Sequence, residues 1–150
     1  MIKSAFTMIE LIFVIVILGI LAAVAIPKLS ATRDDAVIAR TSQSISTAAM
    51  EIATYAVANG RIEANLSVMS NAVEMLVGRN EALLDIPNRA VDFRMGARVD
   101  CITMEIISAG QDENLTVSYG AAGDRLCDAL QSVFNSKVYP LVLRGATVAY

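Results

Sequence analysis

The 150-residue chain has no histidine and no tryptophan, only two cysteines and three prolines, and few aromatic residues of any kind. Without histidine, imidazole-based catalytic triads, His-ligated metal sites and a charge switch near neutrality are all excluded. Cys101 and Cys127 are too few for a four-thiolate zinc site and lack the Cys-x-x-Cys spacing of a redox catalyst. Their expected product, in an oxidising compartment, is one disulfide. Positive charge is not in excess either: 12 Lys and Arg against 15 Asp and Glu give a net charge of -3, so no basic patch points to nucleic acid. No pair of carboxylates has a spacing that asks for catalysis, and no enzyme activity is expected.

Charge is scarcest near the amino terminus. From Phe6 to Ile26 the only ionisable side chain is Glu10. At a rise of about 1.5 Å per residue this run reaches about 31 Å, enough to cross the hydrocarbon layer of a bilayer. A carboxylate in such a helix costs about 2.5 to 3.5 kcal/mol at mid-bilayer, so a lone one is a candidate functional residue. An ordinary secretory signal is a competing reading, because Met1 to Ala5 carries Lys3 and Ala23-Val24-Ala25 resembles a small-residue cleavage site. Against it, the run is long enough to span, and Glu10 interrupts the apolar core that such a signal needs. A plain single-pass anchor fits the length and leaves Glu10 unexplained.

The residues Ala5-Phe6-Thr7-Met8-Ile9-Glu10-Leu11, followed by Ile12 to Leu18, Gly19, Ile20 to Ile26 and Pro27, resemble the processing and assembly signature of type IV pilins and type II secretion pseudopilins. The Phe, the Glu four residues later, the Gly and the Pro all fall in register. The resemblance implies a leader of residues 1–5, cut before Phe6 by a prepilin peptidase, and methylation of the new Phe6 amino group. Ala5 stands where the family usually has Gly. The resemblance further implies an inner-membrane subunit with its head in the periplasm, lifted into a helical polymer of itself and other pilin-like subunits. A membrane platform and its ATPase would supply the work.

Glu10 gains a physical role from that cut. The freed Phe6 amine is cationic at neutral pH, and the family implies that Glu10 of one subunit pairs with the Phe6 amine of a neighbour. Low dielectric strengthens such a pair and makes an unpaired carboxylate costly. Gly19 and Ala23 have the small-xxx-small spacing of close helix contacts, although small residues are common in spanning helices generally. Pro27 removes one backbone donor, so the turn near Ala23 is expected to bend or open locally.

After this membrane or filament-core segment, 6–27, the helical pattern is expected to continue over 28–60. Ile38, Ile45, Ala49, Ile52 and Tyr55 or Ala56 form one apolar stripe, and Asn59-Gly60 reads as a stop. A globular head is expected over 61–150. Leu66, Met69, Val73, Leu76, Asn80 and Leu83 predict a second amphipathic helix ending near Asp85-Ile86-Pro87. From Val99 the period becomes two. Ile102, Met104 and Ile106 alternate with Cys101, Thr103 and Glu105, and Leu115, Val117 and Tyr119 alternate with Thr116 and Ser118, predicting an antiparallel pair. A short helix from Asp124 to Phe134 and closing strands at Val138–Leu143 and Ala146–Tyr150 complete an α+β head, with Pro140 marking an edge.

Other signals are weak. Asp112, Glu113 and Asn114, with Asp100 or Asp124, offer oxygen ligands, and some secretion pseudopilins hold calcium in this part of the head. The spacing is not that of an EF-hand loop, and no cofactor is expected. Gly120 to Asp124 reads as a turn, and Asn65-Leu66-Ser67 and Asn114-Leu115-Thr116 are sequons by pattern alone. The expected function is a structural filament subunit. The alternatives are a minor pseudopilin that primes a secretion or DNA-uptake filament, a membrane-tethered periplasmic binding module, or a secreted domain released after Ala25.

Overall fold

A computed structural model describes residues 7–110 and 112–144. The leader, Phe6 and the expected strand at Ala146–Tyr150 lie outside the described residues. The chain divides into two compact units between Val37 and Ile38.

The first unit is the opening stretch of helix α1 (Met8–Asn59). Every large apolar side chain from Met8 to Leu29 is exposed. The most apolar window of α1 has a mean hydropathy of 3.1 and none of it is buried, so α1 is long and apolar enough to cross a membrane. A helix of this kind in a soluble core would be covered on all sides. Helix is continuous through Ala23 and Pro27. Only one ladder bond is lost to the proline, and the neighbouring turns carry the helix across.

The second unit is an α+β head. From Ile38 onward α1 turns amphipathic: Ile38, Thr41, Ile45, Ala48, Ala49, Ile52 and Ala56 are buried, a stripe at three- and four-residue steps. Burial of Ile45 or Ile52 contributes about 1.5–3 kcal/mol each. The helix stops at Asn59, and Gly60 takes a positive φ of 61° that a side chain would resist.

The predicted second helix is broken in two. Leu66–Met69 forms α2 and Asn71–Gly78 forms α3, with Ser70 extended between them at φ -143° and ψ 120°. Ser70 is the reason for the break, because its amide closes α2 onto the Leu66 carbonyl while its hydroxyl accepts from Val73 N to cap α3. Glu51 of α1 fastens this junction, its Oε2 accepting from Ser70 Oγ at 2.7 Å and from Ala72 N at 2.9 Å. The helix also ends earlier than its apolar spacing predicts. Asn80 takes φ 59°, and Leu83 falls in a strand, β1 (Ala82–Asp85).

Among the described residues four more strands follow: β2 (Ala90–Met95), β3 (Arg98–Ala109), β4 (Asp112–Tyr119) and β5 (Leu141–Arg144). All neighbours are antiparallel and the spatial order is the chain order, β1-β2-β3-β4-β5. The expected β3–β4 pair forms, with Ile102 opposite Tyr119, Met104 opposite Val117 and Ile106 opposite Leu115. Val91 and Phe93 of β2 sit opposite Met104 and Ile102, so one sheet face carries a continuous apolar layer. This layer shares one core with the buried stripe of α1 and with α2 and α3. The β1–β2 hairpin was not predicted from the sequence. The closing strand starts at Leu141 rather than Val138, since Ser136–Val138 is a 3-10 turn, and among the described residues it lies at an edge of the sheet.

Helix α4 (Arg125–Val133) lies where the short helix is expected, with Asp124 as its cap. It buries Cys127 and Leu130 against the sheet.

Candidate functional site

The start of α1 is the most distinctive polar feature of the first unit. Thr7 precedes the helix and Glu10 is three residues on, the Thr-x-x-Glu spacing of a capping box. The box is closed. Glu10 Oε2 accepts from Thr7 Oγ1 at 2.9 Å and from Thr7 N at 3.2 Å, while Glu10 N donates back to Thr7 Oγ1 at 3.3 Å. Around it the surface is apolar: Ile9, Phe13 and Val14 line a shallow notch bordered by Glu10. The carboxylate thus sits at the positive end of the helix dipole with local donors, in a segment otherwise exposed and apolar.

Glu10, Gly19 and Pro27 lie on this one exposed apolar helix. A Cβ built on Gly19 meets nothing within 4 Å, so that surface is open. Ala5 and Phe6, the expected cleavage and methylation residues, lie outside the described residues. Thr7 is the one residue of this cap absent from the sequence expectations, although its spacing to Glu10 is itself a helix-start signal.

In the head, Cys101 and Cys127 form the expected disulfide, with their Cα atoms 5.6 Å apart. It ties β3 to α4. Gln131 reinforces the tie, its Nε2 donating to the carbonyls of Cys101 at 2.8 Å and Gly120 at 3.1 Å. Asp124 does a parallel job for the β2–β3 turn: Oδ1 accepts from Leu126 N and Cys127 N, both at 3.0 Å, and Oδ2 from Ala97 N at 3.1 Å. The amide donors of Cys127 and then Ala97 hold its carboxyl below the ordinary aspartate value, and partial desolvation opposes them. Gly96, at φ 62°, has no room for a Cβ because it would fall on the Asp124 carboxylate.

The possible calcium ligands are not brought together. Asp112, Glu113 and Asn114 pair with Ala109, Ser108 and Ile107 at one end of the β3–β4 ladder. Asp100 and Asp124 lie toward the other end, by Gly120 and Ala97. Glu113 is engaged with Arg89 at 2.7 Å. Among the described residues no group of three or more His, Cys, Asp or Glu side chains is placed to hold a metal ion. The sequon at Asn65 is used structurally, its side-chain oxygen capping α2 through Ser67 N.

Compared with protein families, curated proteins and solved structures, the chain matches none of them.

Proposed function

We propose that this chain is a structural subunit of a type IV pilus-like or type II secretion pseudopilus filament. The observation that carries the reading is an exposed apolar stretch of membrane length at the start of α1, Met8 to Leu29, whose one acidic side chain, Glu10, sits in the first turn, in a chain that also folds a disulfide-closed head. In this reading a prepilin peptidase cuts between Ala5 and Phe6 and the Phe6 amine is methylated. The subunit waits in the bacterial inner membrane with its head in the periplasm. Assembly then exchanges lipid around the apolar helix for the helices of other subunits, driven by an inner-membrane platform and its ATPase. The chain itself performs no chemistry.

Glu10 fixes the register of that exchange. An amine on the neighbouring copy and a carboxylate in low dielectric attract strongly, and either one left alone is costly. The exposed surface at Gly19 and Ala23 offers a close approach for a second helix.

Amino-terminal mass of the native protein, combined with electron microscopy of cells producing wild type or Glu10→Ala, tests the reading. The expected result is methylated Phe6, filaments with wild type, and membrane-inserted but unassembled Glu10→Ala. Uncut Met1 would point instead to a membrane tether for a periplasmic binding module, and a terminus at Ile26 to a secreted domain. Normal filament levels with Glu10→Ala would remove the role given to Glu10.

A further inference from the structure

We propose that Asn59–Gly60 is a spontaneous modification site at the end of α1, where asparagine converts to isoaspartate and aspartate at a rate set by a clasp of Tyr55, Arg61 and Glu63. The inference does not depend on polymerisation, so its test stands apart from that of the filament reading. The reaction needs a backbone nitrogen to reach the side-chain amide of the residue before it. The Gly60 nitrogen, giving up its proton, bonds to the Asn59 side-chain carbonyl carbon, and ammonia leaves as a cyclic imide closes. Water then opens either ring carbonyl, giving isoaspartate or aspartate, and no other reactant is consumed. A glycine in the second position obstructs the attack least, and each of the other asparagines in the chain is followed by a residue with a side chain. Asn59 and Gly60 are both exposed, and a Cβ built on Gly60 meets nothing within 4 Å.

Two hydrogen bonds occupy the reacting groups in the folded head. Gly60 N donates to the Ala56 carbonyl at 2.9 Å, and Asn59 Nδ2 donates to the Tyr55 carbonyl at 3.0 Å. The first must break before the nitrogen can attack, and the second fixes the side-chain amide, so the reaction waits on opening of the last turn of α1. The segment that follows resists this opening. The Tyr55 hydroxyl donates to Glu63 Oε1 at 3.3 Å, and Arg61 Nε lies 3.0 Å from the same oxygen, tying the chain after Gly60 back onto the helix. The product does not restore the cap. A carboxylate has no donor for the Tyr55 carbonyl, and it stands at the negative end of the helix dipole.

The test ages the full chain in detergent micelles at mildly alkaline pH, beside the same chain unfolded in guanidinium chloride. Isoaspartate is followed by peptide mass mapping and by enzymatic isoaspartyl methylation. Wild type, Asn59→Gln, Tyr55→Phe and Glu63→Gln are compared, with circular dichroism confirming the fold of each. Isoaspartate is expected at Asn59 ahead of every other asparagine, more slowly in the folded chain than in the unfolded one, and not at this position in Asn59→Gln. Tyr55→Phe and Glu63→Gln are each expected to speed it about threefold in the folded chain, the scale of one hydrogen bond, and to leave the unfolded rate unchanged. Absence of isoaspartate at Asn59 from both samples overturns the site. Equal folded and unfolded rates, or a folded rate unmoved by either clasp variant, overturn the control by the clasp and with it the proposal.

Discussion

Between Met8 and Leu29 every large apolar side chain of α1 is exposed, whereas from Ile38 to Ala56 a stripe of apolar side chains recurs at helical spacing and is buried. One helix thus carries two burial patterns. The first stretch is apolar around its whole circumference and the second on one stripe only, so the two are fitted to different surroundings. The first is apolar enough to cross a membrane, and the second packs on the sheet of its own head. Stability of the head and competence for assembly should therefore respond to different substitutions.

The sharpest way to break that contrast is a matched pair of truncations. Ile52→Ala, in the buried stripe, is expected to lower head stability by about 2–5 kcal/mol in denaturant unfolding, while Ile17→Ala leaves the same transition unmoved. Equal effects would mean that the first stretch belongs to the cooperative unit. Replacing Cys101 and Cys127 together by Ser should cost about 3.5 kcal/mol on the chain-entropy estimate for the loop they close, read from the shift in unfolding midpoint. Insertion into membranes should not change. Glu51→Ala removes the acceptor that joins α1 to the Ser70 junction, and a loss of about 1–3 kcal/mol is expected, with hydrogen exchange rising first in α2 and α3.

The smallest effect concerns acid. The Asp124 carboxyl is depressed in the folded head, so its charge stabilises above the unfolded aspartate value of 3.8 and that contribution is lost as pH falls through the lower folded value. Asp124→Asn keeps a capping oxygen and lacks the charge. The stability gap between wild type and Asp124→Asn should be constant near neutrality and close below the unfolded aspartate value. A gap that widens in acid contradicts the assignment.

Much of the fold is legible in the sequence. The stripe from Ile38 to Ala56, the β3–β4 alternation and the short helix after Asp124 follow from period, because each is set by short-range burial, and the pairing of Cys101 with Cys127 follows from there being only two cysteines. The segment from Asn80 to Met95 was not legible in the same way. Leu76, Asn80 and Leu83 fit helical spacing, yet Asn80 and Arg89 adopt positive φ, which their residue types signal only weakly. Val91, Phe93 and Met95 do alternate, but the turn that frees them as a strand depends on Arg89 reaching Glu113 and Ser108 on β4 and β3. Ser70 was hidden for a related reason, since its break in the helix is held by Glu51 from nineteen residues earlier. Of the candidate site, Glu10 stood out by its isolation, and Thr7 was passed over because a hydroxyl in an apolar run draws no attention until its partner is seen.

The sheet is a meander in which each strand pairs with the one before it in the chain. Such local pairing keeps loop-closure costs low and favours rapid folding. A chain of this order can zip its strands in sequence, each onto its predecessor, leaving the docking of the finished sheet on the buried stripe of α1 as the more distant event.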